Sequence, residues 1–271
     1  MAIIYGTSGD DHLDADVDGR REDDVVFGGA GDDFIDNIRH GNDYVLAGAG
    51  DDIIQVIDHW TAITGHATIS GGSGTDRLAY VSGANEYAYV DLEAGSFGVK
   101  FFGNNIERGT LIDIEDVSIH GGSAEVLGNA GNNRITTREG NDYLDGRGGN
   151  DALEAGSGDD HLIGGAGNDS LDGGTGNDIL EGGTGNDVIR GGGGEDTFVF
   201  AGDTGSDTVY NFGVDDVMDF SGVAEITSFS DLMNNHITDL GWIGIRINFG
   251  DSQIVSFYTT FEWLTEDNFI F

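Results

Sequence analysis

The apolar positions of this 271-residue chain follow two patterns. Between residues 142 and 198 one apolar residue returns at every ninth position: Leu144, Leu153, Leu162, Leu171, Leu180, Ile189 and Phe198. The residues between them are rich in glycine and carboxylate. Elsewhere apolar residues alternate. "RLAYVSGANEYAYVDL" (77–92), "GVKFF" (98–102) and "TLIDIEDVSIHG" (110–121) read as strands. Ile243, Ile245, Ile247 and Phe249 alternate ahead of a turn at "GDS", which is a hairpin signal. Near the end, Thr259 and Glu262 have the spacing of a helix-capping box.

The nine-residue pattern carries a second signal. Two positions before each apolar residue stands an aspartate: Asp142, Asp151, Asp160, Asp169, Asp178, Asp187 and Asp196. Glycine sits two positions before the aspartate at Gly167, Gly176 and Gly185, and Asn133 with Ile135 extends the register upstream. A less regular array opens the chain, with Asp11, Asp24, Asp33, Asp43 and Asp52, and Asp76 marks an isolated copy in "GGSGTDRLA". After the last regular copy, Asp207 with Val209 and Asp216 with Met218 keep an echo of the repeat. A solvated acidic linker has no reason to keep an apolar residue in register, so the repeat predicts a folded solenoid.

The best copies, "GGAGNDSLD" (164–172), "GGTGNDILE" (173–181) and "GGTGNDVIR" (182–190), have the form G-G-x-G-x-D-x-apolar-x. This resembles the RTX (repeat-in-toxin, hemolysin-type) calcium-binding nonapeptide family. The resemblance implies an all-β, right-handed parallel β-roll in which six residues of each unit turn and three form a strand. Two units make one coil, so Leu180 and Ile189 point inward from opposing strands. Thr175, Asn177, Thr184 and Asn186 face outward. It also implies several calcium ions between neighbouring turns, held by the repeat aspartates and by loop carbonyls such as those of Gly165, Gly167, Gly174, Gly176, Gly183 and Gly185. Scaling from the number of turn pairs gives on the order of 6–12 ions. The chain then divides into irregular repeats at 1–78, a β-rich insert at 79–127, a regular roll at 128–200 and a cap at 201–271. The insert carries Ile114, Glu115, Asp116 and Val117, similar to a motif that precedes such repeats. The tail resembles the uncleaved C-terminal signal of bacterial type I secretion substrates, which implies an exporter partner and an extracellular location.

Composition agrees with this chemistry. The chain holds 50 acidic and 11 basic residues, a formal net charge of −39, with 48 glycines, no proline and no cysteine. Such a polyanion is repelled by nucleic acid and attracts cations. Oxygen donors without thiolates favour a hard ion, and calcium accepts six to eight oxygens in flexible geometry. Zinc would call for cysteine or clustered histidine. Each unit buries one apolar side chain, worth roughly 2 kcal/mol, while ordering nine residues costs several times that. Like carboxylates stacked about 5 Å apart repel by about 3 kcal/mol per pair at an effective dielectric near 20. A bound cation reverses the sign of that repulsion.

A separate calcium-like loop lies at "DADVDG", where Asp14, Asp16, Asp18 and Gly19 match the first half of an EF-hand loop. The twelfth position would be Val25 rather than glutamate, so a calcium site outside the EF-hand type competes with a solvated turn. No His-Glu-x-x-His or Gly-x-Ser-x-Gly motif occurs and Lys100 is not in a phosphate loop, so no enzyme is expected. No apolar run approaches a membrane span. "MAIIYGTSGDD" lacks the basic and apolar regions of a cleavable signal. The leading expectation is a secreted calcium-binding β-roll with a scaffold or surface role. The alternative is a polysaccharide- or cell-surface-binding module similar to the R-modules of mannuronan epimerases, with Arg134, Arg138, Arg147 and Arg190 as candidate contacts. Ice binding through Gly-Thr-Gly-Asn-Asp is the third, with two copies to support it.

Overall fold

The computed structural model describes residues 2–16, 23–38, 41–57, 66–83, 86–101, 104–201, 205–239, 244–249, 252–257 and 264–271. The chain forms two compact units, one of residues 1–129 and 133–139, the other of 130–132 and 140–271. Both are parallel β-solenoids with very little helix. Through the repeats successive strands go to alternate sheets, so each sheet there pairs residues one coil apart.

In the second unit the nonapeptides stack in register. Leu162 pairs with Leu180 and Leu180 with Phe198 in one sheet. Leu171 pairs with Ile189 and Ile189 with Val209 in the other. All of these side chains are fully buried, as inward strand positions at period two require. Thr175, Asn177, Thr184 and Asn186 are exposed.

The strands are longer than the expected three residues. His161–Ala166, Ser170–Thr175 and Ile179–Thr184 each span six. The Gly-Gly-x that opens each unit stays extended and pairs with its equivalent in the next coil, as Gly165 does with Gly183 and Ala166 with Thr184. The turn thus shrinks to Gly-x-Asp. Beyond the repeats, Ser252–Phe257 joins the sheet parallel to Ser206–Tyr210 and then pairs antiparallel with Gly244–Phe249, forming the expected hairpin. Ile245, Ile247 and Ile254 of this hairpin are fully buried. Thr259 and Glu262 lie outside the described residues. A capping box forms instead between Thr265 and Asn268.

In the first unit the described strands between residues 79 and 127 run within the two solenoid sheets. Arg77–Val81 and Asp116–His120 are direct parallel neighbours in one sheet although 39 residues separate Arg77 from its partner Asp116. The intervening chain runs as a meander of Tyr87–Asp91, Ser96–Phe101 and Asn104–Ile112 inside the other sheet. Asn104–Ile112 is parallel to Ala67–Ser73, and Ala124–Leu127 is parallel to Tyr87–Asp91. Among the described aromatics of this stretch, Tyr80, Tyr89 and Phe97 are buried, and Tyr80 meets Phe97 edge to face, 5.6 Å between ring centroids.

Candidate metal centre

Each Gly-x-Asp turn delivers its aspartate to the inside of the solenoid edge. Of the thirteen repeat aspartates expected as ligands, Asp24, Asp33, Asp43, Asp52, Asp76, Asp142, Asp151, Asp160, Asp169, Asp178, Asp187 and Asp196 are buried. Asp11, in the first coil, is half-buried, and Thr7 donates to its Oδ2 from both backbone N–H and hydroxyl.

The buried carboxylates form ladders along the stack. On one edge the backbone N–H of Asp142 donates to Oδ1 of Asp160 (2.7 Å), that of Asp160 to Asp178 (2.9 Å) and that of Asp178 to Asp196 (3.0 Å). On the other edge Asp151 donates to Asp169 and Asp169 to Asp187, both at 2.8 Å. The first unit repeats the scheme from Asp11 to Asp33 to Asp52 to Asp76, and from Asp24 to Asp43. Each aspartate therefore faces its equivalent one coil away.

The second carboxylate oxygen is different. Oδ2 of Asp33, Asp52, Asp76, Asp160, Asp169, Asp178 and Asp187 is buried without any hydrogen-bond partner. Buried polar atoms are ordinarily satisfied, and an unpaired anionic oxygen is the most costly kind. A Cβ on the first glycine of the unit would strike it: 2.3 Å from Asp178 Oδ2 at Gly173, 2.4 Å from Asp187 Oδ2 at Gly182 and 2.6 Å from Asp169 Oδ2 at Gly164. Glycine there keeps the space beside the carboxylate open.

The other glycines supply carbonyls. Gly167, Gly176 and Gly185 take φ of +142°, +133° and +132°, and Gly165, Gly174 and Gly183 take φ near +100°, values that L side chains rarely adopt. Gly167 O lies against Gly185 and Gly176 O against Gly194, so these carbonyls point along the stack from coil to coil. Gly165 O and Gly174 O lie likewise against Gly183 and Gly192. The preceding equivalent, Arg147 O, accepts from Ala166 N–H at 2.9 Å, so this second set also serves the sheet. Among the described residues no three His, Cys, Asp or Glu side chains converge on one point. A cation in these turns would draw on carboxylate Oδ2 atoms together with backbone carbonyls, a donor set suited to calcium.

Electrostatics reinforce this. Burial pushes the Asp178 carboxyl up to about 7, with the charges of Asp160 and Asp196 adding to the shift. Burial likewise raises Asp43, Asp76, Asp160 and Asp169 to about 6 against the opposing backbone hydrogen bonds. Their folded values exceed the unfolded carboxylate value near ~3.9, so the metal-free fold binds protons more tightly than the open chain. Its stability is highest in acid and falls as pH rises from about 4 through 6–7. In metal-free buffer, circular dichroism should therefore show more strand at pH ~5 than at pH ~7.5; equal spectra would count against these carboxylates being buried.

Several participants go beyond the sequence reading. Asp207 and Asp216, seen in the sequence as echoes of the repeat, are buried and continue the ladders from Asp187 and Asp196 at a 20-residue spacing. Glu115 Oε2 accepts from Asp76 N–H, and Asp116 Oδ1 from Arg134 N–H, so the Ile-Glu-Asp-Val stretch supplies two rungs of its own. The residue before each aspartate builds an exposed ladder of opposite polarity. Asn168 N–H donates to Asn150 Oδ1, Asn186 to Asn168 and Asn177 to Asp159. The recurring Asn-Asp and Asp-Asp pairs were its signal. In the calcium-like loop, Asp14 Oδ1 accepts from Asp16 N–H (2.9 Å) and Asn37 Nδ2 (3.1 Å), and Asp16 Oδ1 is buried without a hydrogen-bond partner. Asp18 and Gly19 lie outside the described residues.

The family model of the RTX calcium-binding nonapeptide repeat matches residues 5–37, 40–55, 121–153, 146–180, 163–198 and 172–209, together half of the chain. The chain belongs to the RTX family. No curated protein sequence matches it. Among solved structures it is similar to the crystal structure of extracellular lipase LipA from Serratia marcescens, at 21% identity and a TM-score of 0.41. The match covers 92% of this chain and 40% of the lipase chain. RTX repeats bind calcium and are typical of secreted proteins, and of the aspartates with a buried, partnerless Oδ2, Asp33, Asp52, Asp160, Asp169, Asp178 and Asp187 lie within the matched repeats, while Asp76 stands between them. Among the described residues no helix is long and apolar enough to cross a membrane.

Proposed function

We propose that this chain is a calcium-dependent β-roll that leaves the cell unfolded, folds outside on binding several calcium ions, and serves there as a scaffold or surface element. The observation that carries this reading is the set of buried Oδ2 atoms with no hydrogen-bond donor in reach. Asp33, Asp52, Asp76, Asp160, Asp169, Asp178 and Asp187, with the carbonyls of Gly167, Gly176 and Gly185, would hold the ions. Asp11, Asp24, Asp43, Asp142, Asp151 and Asp196 occupy equivalent rungs, and Asp14 with Asp16 would form a separate site beside the repeats. Bound calcium would supply positive charge where the fold stacks negative charge.

Native mass spectrometry in calcium tests the ion count. Several ions per chain are expected, on the order of 6–12, with magnesium failing to replace them because it demands a tighter octahedron. One ion or none would contradict the proposal.

A further inference from the structure

The first unit carries a face unlike the rest of this acidic chain. In one sheet, strands Ile3–Tyr5, Val25–Ala30 and Tyr44–Ala49 lie parallel and in register. Their outward residues make two columns: Ile3, Val25 and Tyr44, then Tyr5, Phe27 and Leu46. The columns continue into Thr68 and Ser70 of the next strand. No charged residue stands in either column, although the chain has a net charge of −39. The other sheet of the same unit places His12 beside Phe34 and Asp14 beside Asp36 at outward positions. Tyr5 is 69% exposed, Ile3 52% and Tyr44 43%.

The rings of Tyr5 and Phe27 are parallel within 9°, with centroids 5.2 Å apart. Stacked in this way the two rings form one continuous aromatic surface along the column, and Tyr5 keeps most of its surface open to solvent. Three strands about 4.8 Å apart, two outward side chains each, make a patch of roughly 200 Å². A stable protein partner needs about 800 Å² per side, so this patch is too small to hold a second copy, and two chains of this charge repel. An anionic polymer is repelled for the same reason. What fits is a narrow, uncharged chain whose apolar ring faces can lie on aromatic rings at the spacing of the strands.

We propose that this face binds a neutral polysaccharide of β-linked pyranose rings, with Tyr5 and Phe27 as the stacking platform and Tyr44 beside it. A pyranose presents a face of C–H groups that packs on an aromatic ring, and its repeat along a β-linked chain is close to the strand spacing. The proposal rests on the fold and does not depend on how many calcium ions hold it.

Affinity electrophoresis of the calcium-loaded chain in native gels containing hydroxyethylcellulose tests it, with cellohexaose as soluble competitor and circular dichroism in the same buffer as the readout of folding. Retardation is expected, reversed by cellohexaose. Tyr5→Ala and Phe27→Ala should each weaken it by about tenfold, as loss of one stacking contact predicts, with unchanged strand content. Ile179→Ala, in the other unit, should bind as the unsubstituted chain does. A folded chain that migrates equally with and without the glucan would overturn the proposal. So would retention by a polyuronate in place of the neutral glucan, or a dimer in sedimentation that Tyr5→Ala dissolves. Loss of the strand signal in calcium would instead count against the calcium reading.

Discussion

Stripping calcium with excess EGTA at pH ~7.5 is expected to collapse the strand signal of this chain, and restoring millimolar calcium to return it. The reason lies in the aspartate ladders. At that pH the buried Oδ2 atoms of residues such as Asp160, Asp169, Asp178 and Asp187, which have no hydrogen-bond partner, must either carry charge in a poorly solvated site or take up protons that the medium does not supply. An RTX module of the extracellular affinity class, with a dissociation constant of about 10⁻⁴ M, gains about 1.4 kcal/mol per ion in millimolar calcium. Half a dozen such ions contribute about 8 kcal/mol, the size of the whole net stability of an ordinary domain. Removing them leaves the regular repeats from Leu162 to Ile189 with one large apolar side chain per strand to oppose the chain entropy. Strand content unchanged by EGTA would show that the roll stands without metal.

Gly185→Ala should be strongly damaging to the regular roll, whether calcium is present or not. Gly185 has φ of +132°, and a Cβ there would lie 1.6 Å from Gly167 O of the adjacent coil. That carbonyl cannot swing aside without opening the stack on which the candidate ligand atoms depend. Backbone strain of about 1–3 kcal/mol adds to the clash, and a total above about 4 kcal/mol would unfold the neighbouring coils. Gly193→Ala is the control. Gly193 has ordinary φ, and a Cβ there would meet nothing within 4 Å, so its alanine variant should melt within a few degrees of the parent. Thermal melts in calcium decide it: similar curves for both variants would mean that the carbonyl stack is not under steric control.

The nine-residue register made the inward residues and the aspartate rungs legible, because a solenoid repeats one environment and the sequence repeats with it. Leu180, Ile189 and Asp178 stand where the pattern puts them. Two features could not be read in that way. Gly-Gly-x looks like turn chemistry, yet it pairs as strand, since its equivalents in the next coil supply the missing hydrogen-bond partners. The meander between Tyr87 and Ile112 alternates clearly, but alternation says nothing about which strand is the neighbour. That Arg77–Val81 meets Asp116–His120 directly is a long-range pairing with no local signature. The division of labour within each carboxylate, one oxygen on a backbone amide and the other left over, is likewise a property of the stacked coils.

Asp178→Asn probes the account at its centre. The asparagine keeps Oδ1 for the Asp160 amide, 2.9 Å away in the parent, and replaces the partnerless Oδ2 with an uncharged group that cannot ligate a cation. Calcium titrations followed by circular dichroism, beside spectra in metal-free buffer, should give effects of opposite sign. The calcium midpoint should rise by about tenfold, the loss of roughly 1.4 kcal/mol of binding, while metal-free strand content at pH ~7.5 should increase because one buried charge is gone. A variant that loses strand in both conditions, or whose calcium midpoint does not move, would contradict the assignment of these aspartates as the ligands that fold the roll.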